Sequence, residues 1–84
     1  MEEKKALEAF LKVREVSPNT RVARLAFLEV MEVSQTLLAE NIGVTRQTLN
    51  NHLQATRKNR NIQKRIGEAL RVTPRVLFAD TYGN

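Results

Sequence analysis

The segment Gln35-Thr36-Leu37-Leu38-Ala39-Glu40-Asn41-Ile42-Gly43-Val44-Thr45-Arg46-Gln47-Thr48-Leu49-Asn50-Asn51-His52-Leu53 holds two short apolar-periodic runs either side of one glycine. Ser34, just before it, is a helix-capping residue type, and Leu38 and Ala39 follow on the inward side of a short helix over 35–41. Gly43 falls where that run stops, and a residue just past a helix often needs a positive φ that only glycine adopts cheaply. Thr45 opens a second helix, about 46–54, with Leu49 and Leu53 one turn apart. Ala39 is small where a second helix must cross close above it, and Ile42 and Val44 bracket the turn with side chains that bury.

Outward from this segment the chain reads as helix throughout. Ala6, Leu7, Phe10 and Leu11 recur at helical spacing over 2–16, and Ser17-Pro18-Asn19-Thr20 then breaks the pattern. A second helix over 19–31 places Val22, Leu25, Leu28 and Met31 along one side. Downstream, Gln54 to Arg60 is a polar, basic connection. Asn59 or Asn61 then caps a helix whose apolar face is Ile62, Ile66, Ala69 and Leu70. Thr73-Pro74 starts a last short helix containing Val76, Leu77 and Phe78. There is no internal repeat, low-complexity tract or strand pattern. The expected fold is all-α with five or six helices in one domain over 1–84: an additional first helix at 2–16, a helix pair at 35–54 and closing helices at 61–79.

Composition narrows the function. With 84 residues and no cysteine, disulfides, iron–sulfur clusters and zinc fingers are excluded. Hydrophobic residues at 42% and charged residues at 27% fit a folded globular chain rather than a disordered one. No apolar run reaches the roughly 18 residues of a membrane span, and Glu8 and Lys12 interrupt the weakly leader-like start from Met1 to Val13. A cytoplasmic location is therefore expected. Charge is unevenly placed: residues 1–42 carry six Lys/Arg against seven acids, and residues 43–84 carry eight against two. Between Glu40 and Glu68 there is no acid, while Arg46, Arg57, Lys58, Arg60, Lys64 and Arg65 lie there. A one-signed stretch favours a polyanion or an anionic surface.

The helix pair resembles the helix-turn-helix of the lambda-repressor-like DNA-binding family, through Gln35, Leu38-Ala39, Ile42-Gly43-Val44-Thr45 and Leu49. The run Ile66-Gly67-Glu68-Ala69-Leu70-Arg71-Val72-Thr73-Pro74-Arg75-Val76-Leu77-Phe78 is similar to that family's closing helices. Within the family the look is that of small phage-type regulators of the Ner kind. The likeness covers about residues 21–79. Two positions depart from it. His52 stands where the family places an apolar residue, with Leu53 beside it to make that contact. Met31-Glu32 stands where many members have Lys-Gly, so a differently shaped turn is expected there.

With Leu49 and Leu53 inward, a rotation of about 100° per residue puts Gln47 and Asn51 on the far side of the second helix, with Thr48 beside them. Arg46 projects from its first turn, and Asn50 and His52 lie on its flanks. This Thr, Arg, Gln and Asn surface sacrifices helix propensity and contains no acid to repel phosphate. Carboxamides pair bidentately with adenine and Arg with guanine in the major groove, so Arg46, Gln47, Asn50 and Asn51 are the expected base readers. Thr45, Thr48, Arg57, Lys58 and Arg60 are expected on phosphates, and the family resemblance adds Gln35.

No cofactor or metal is expected. His52 is the sole histidine, no acid lies near it in sequence, and the serines and carboxylates form no catalytic constellation, so an enzyme is not expected. The resemblance implies a sequence-specific double-stranded DNA-binding transcriptional regulator, a repressor of phage or mobile-element type. It would act as a homodimer on DNA and away from membranes. Any switch would work through protein level, a regulatory protein partner or proteolysis. The alternatives are an antitoxin-like protein-interaction module with secondary DNA binding, and a non-specific binder that uses the basic half alone. The first helix is a candidate dimerisation element, although its packing back on its own chain is the favoured expectation.

Overall fold

Six α-helices follow one another in the computed structural model, which describes residues 2–81. They are α1 (Glu2–Val16), α2 (Thr20–Val30), α3 (Gln35–Ile42), α4 (Arg46–Leu53), α5 (Arg60–Leu70) and α6 (Pro74–Leu77). The protein is all-helical among the described residues. Residues 1 and 82–84, at the ends of the expected domain, lie outside them. The last helix is shorter than the closing segment to residue 79 suggested, because the backbone turns after Leu77.

Local chemistry sets the boundaries. Asn19, Ser34, Thr45 and Asn59 are N-caps whose side-chain oxygens accept backbone N–H groups of the first turn. Each such cap is worth about 1 kcal/mol. The same four helices, α2 to α5, end alike: Glu32, Gly43, Ala55 and Arg71 turn left-handed, with φ of 56°, 78°, 62° and 62°. The next residue's N–H then reaches back to a carbonyl five positions earlier, as in Val33 to Leu28, Val44 to Ala39, Thr56 to Asn51 and Val72 to Gly67. This arrangement satisfies carbonyls that a helix end would orphan. Glu32 therefore takes a left-handed conformation that favours glycine.

Packing places α1 on α2, α3 on both α4 and α5, α4 on α2, and α5 on α6. Phe10 of α1 meets Phe27 of α2 edge to face, with ring centroids 5.3 Å apart. The Ala6 and Phe10 side of α1 is thus buried against its own chain, while Leu11, which shared the expected apolar pattern, is exposed. On α2 the buried face is Ala23, Arg24, Phe27 and Leu28. The expected stripe of Val22, Leu25, Leu28 and Met31 is displaced about one residue around the helix, leaving Val22 and Met31 outside. Apolar residues by themselves do not mark the true face, because a charged residue lies within it. On α5, Gln63 and Gly67 join Ile66 and Leu70 inside. A Cβ on Gly67 would come within 2.7 Å of the Val72 carbonyl oxygen and 2.8 Å of Pro74 Cγ, so only glycine lets α6 fold back this tightly. The radius of gyration, 11.5 Å, is close to the roughly 12 Å of a packed chain of this length.

Arg24 is the centre of this packing. Its side chain is 0% exposed, and its guanidinium reaches three residues far from it in sequence. Nε donates to the Leu53 carbonyl (2.7 Å) and Nη1 to the Leu77 carbonyl (3.1 Å). Nη1 and Nη2 also donate to the two carboxylate oxygens of Asp80, at 2.8 and 3.1 Å, and the Phe78 ring lies 4.8 Å from Cζ. Leu53 and Leu77 are the last residues of α4 and α6, so one cation caps the negative ends of two helices. Arg65 does the same from α5, donating to the carbonyl of Ile42 at the end of α3 (3.3 Å).

Burial raises the pKa of Asp80, but the hydrogen bond and charge of Arg24 outweigh it and hold the carboxyl below its ordinary value. A carboxyl depressed in the folded state stabilises fully above its unfolded pKa, near 3.9, and that contribution is lost as pH falls through the lower folded value. Asp80→Asn should therefore lower stability by about 1 kcal/mol at neutral pH, screened because the side chain is 28% exposed. Thermal melts of both proteins should differ constantly above about pH 5 and converge in stronger acid. A gap that persists unchanged in strong acid would show that the ion pair is not its source.

Candidate nucleic-acid interface

α4 is only eight residues long and needs outside support to hold one orientation. Leu49 and Leu53, both fully buried, fix its inner face, and Arg24 holds its last carbonyl. At its start Thr45 Oγ1 accepts the Thr48 N–H (3.0 Å) and donates to Thr48 Oγ1 (2.9 Å). Beyond its end Asn51 O accepts from the backbone N–H groups of Thr56 and Arg57 and from the Thr56 hydroxyl. The basic connection is thereby folded against the helix rather than extended away from it.

The expected base readers fall into two groups. Arg46 and Gln47 are exposed, while Asn50 and Asn51 are half-buried. Gln47 and Asn51 make no side-chain hydrogen bond among the described residues. Asn50 is engaged at both ends of its carboxamide: Nδ2 donates to Gln35 Oε1 (3.3 Å) and Oδ1 accepts from Gln54 Nε2 (2.9 Å). Gln54 is a further polar residue of this surface, outside the expected set. It lies three residues beyond Asn51 on the same outer stripe, a spacing visible in the sequence.

Among the expected phosphate contacts, Thr45, Arg57, Lys58 and Arg60 are exposed, and Gln35 and Thr48 are half-buried. Thr48, Arg57 and Lys58 line one cleft of about 220 Å³ with His52, Asn59 and Ile62. Gln35, at the start of α3, reaches α4 through Asn50 and is not among the residues lining that cleft. A larger groove of about 600 Å³ lies elsewhere, bounded by Lys4, Leu7 and the turn from Gly67 to Pro74, and holds none of these residues.

His52 does not flank the surface as expected. It is 1% exposed, buried in the core alongside Leu49 and Leu53. Its Nδ1 lies 2.8 Å from the Thr48 carbonyl, which can only accept, so Nδ1 carries the proton. Nε2 is buried with no hydrogen-bond partner among the described residues. The ring fills the place of an apolar side chain in the core. No group of three or more His, Cys, Asp or Glu side chains among the described residues is placed to hold a metal. No helix among them is long and apolar enough to cross a membrane.

Compared with known proteins, the chain matches no family model, no curated protein and no solved structure.

Thr45→Ala removes the acceptor for the Thr48 N–H and should cost about 1 kcal/mol of stability in a denaturant titration. Thr45→Ser, which keeps the oxygen, should restore most of it. Equal destabilisation in the two variants would mean that the methyl group, not the cap, matters.

Proposed function

We propose that this chain is a sequence-specific double-stranded DNA-binding protein, a transcriptional regulator of lambda-repressor-like helix-turn-helix type. In this reading α3 and α4 are the two motif helices, and the role is that of a repressor of phage or mobile-element type. The observation that carries it is the outer face of α4. Arg46, Gln47 and Asn51 stand there without an acid among them, on a helix seated by Leu49 and Leu53. A helix of this diameter fits the major groove, where carboxamides match adenine and guanidinium matches guanine. Arg57 and Lys58 follow in the adjoining connection and Arg60 opens α5, where they neutralise phosphate.

One short helix reads only a few base pairs, so the proposal includes a homodimer on DNA with half-sites about 34–36 Å apart. The Ala6 and Phe10 side of α1 is occupied within its own chain, which leaves the contact between copies to other surfaces.

The test begins with selection of bound duplexes from a random pool, followed by titration on the selected and on random DNA at several salt concentrations. Gln47→Ala and Asn51→Ala should each cost about 1–3 kcal/mol on the selected duplex and much less on random DNA. Arg57→Ala and Lys58→Ala should weaken both alike and lower the salt slope by about one for each phosphate no longer neutralised. Light scattering should give two chains per selected site. Recovery of all sequences equally would sink the reading in favour of a basic scaffold or a protein-binding module.

A further inference from the structure

We infer that the cleft beside α4, walled by Thr48, His52, Arg57, Lys58, Asn59 and Ile62, is a site for a small phosphate monoester, whose hydroxyl donates to His52 Nε2 while Arg57 and Lys58 neutralise its charge. The site goes beyond the DNA-binding reading and does not depend on it. What singles it out is a buried nitrogen without a partner. His52 is 1% exposed, yet it forms part of the cleft wall. The 2.8 Å from its Nδ1 to the Thr48 carbonyl is shorter than the roughly 3.3–3.6 Å of a C–H contact to oxygen, so the ring cannot be turned over and Nδ1–H is the donor. Nε2 therefore presents a lone pair, and none of the described residues donates to it. A buried acceptor left this way costs free energy that an occupant with a hydroxyl recovers.

The rest of the wall selects an anion. Arg57 and Lys58 are exposed and make no side-chain hydrogen bond or ion pair among the described residues, and no wall residue is acidic. Asn59 Oδ1 accepts from the backbone N–H groups of Asn61 and Ile62, which leaves its amide nitrogen to donate. Asn59 is also the N-cap of α5, whose positive end adds to the field of the two cations. The space, about 220 Å³, is several times the roughly 30 Å³ of one water and below the roughly 300 Å³ of a drug-sized pocket, which suits a phosphate group. Charge by itself would take any oxyanion, and Nε2 makes the distinction. Sulfate and the diester phosphates of a nucleic-acid backbone have no hydroxyl, so they would set lone pair against lone pair. A phosphate monoester, with a second pKa of about 6, brings the proton.

The probes are methyl phosphate, dimethyl phosphate and sulfate, added to the free protein at about pH 6.5 and at one ionic strength, where a sizeable share of the monoester keeps its proton. The ring nitrogens are followed by nitrogen-15 NMR, and because His52 is the sole histidine their signals need no assignment. Methyl phosphate should shift Nε2 saturably and more than Nδ1, whereas dimethyl phosphate and sulfate should leave Nε2 unmoved. His52→Leu, which keeps the core filled, should weaken methyl phosphate about 10-fold, read on the Lys58 and Asn59 amides, and bring it level with sulfate. Arg57→Ala and Lys58→Ala should weaken methyl phosphate and sulfate by one common factor and keep the preference between them. If His52→Leu does not fold, the Nε2 shifts of the wild type decide. Equal shifts with sulfate and methyl phosphate would overturn the inference in favour of an unselective cationic surface. No saturable shift of Nε2 would overturn it in favour of an imidazole that meets only water. Neither result bears on the duplex titrations, so this site and the DNA-binding reading fail separately.

Discussion

A single buried guanidinium holds this small fold together. Arg24 is wholly enclosed, and stripping it of water is tolerable only because four of its N–H bonds find acceptors and Phe78 supplies an aromatic face. Two of those acceptors are carbonyls at helix ends that the chain leaves open, since Arg57 N–H turns to Asn51 and Thr81 N–H to Phe78. Arg24 thus fixes where α4 and α6 stop and how both sit against α2. With a core of short helices and few aromatic rings, a directional cap placed this centrally decides relative orientation, which apolar contact by itself specifies loosely.

The same economy bears on the candidate interface. α4 is too short to persist alone, so its outer surface is only as well defined as its supports. Those supports are Thr45 at the start, Leu49, His52 and Leu53 beneath, and Arg24 and the folded-back connection at the end. Part of the basic charge is consumed in this way. Arg24 and Arg65 serve helix carbonyls, leaving Arg46, Arg57 and Lys58 as cations of the exposed surface around α4. His52 shows a related compromise, an imidazole used as a core filler that satisfies one nitrogen locally and leaves the other without a partner among the described residues.

Much of the architecture was legible because it depends on neighbours in sequence. Caps at Ser34, Thr45 and Asn59, the left-handed Gly43, Pro74 in the first turn of α6 and the inward Leu49 and Leu53 all follow from residues a few positions apart, whereas Asn19, expected as the first residue of the second helix, is its cap. Left-handed turns at Glu32, Ala55 and Arg71 were not legible, since none carries the glycine signal. Their neighbours Val33 and Val72 draw the chain back onto the core, and that tertiary gain overrides the local backbone preference. The burial of His52 and the outward placement of Leu11, Val22 and Met31 were likewise hidden, because a helix pattern fixes relative angles but not which angle meets the core.

From the sequence alone come the helical class, the order of the elements, the helix pair around Gly43 and the concentration of positive charge after Glu40. These are one-dimensional properties, set by periodicity, capping chemistry and composition. Tertiary structure decided that Arg24, 56 residues from Asp80, sits inside and joins three parts of the chain. It also decided that Asn50 hydrogen-bonds to both Gln35 and Gln54. A buried charge is tolerated, and a carboxamide is engaged, only where distant groups arrive with complementary donors and acceptors, and no local pattern encodes that arrival.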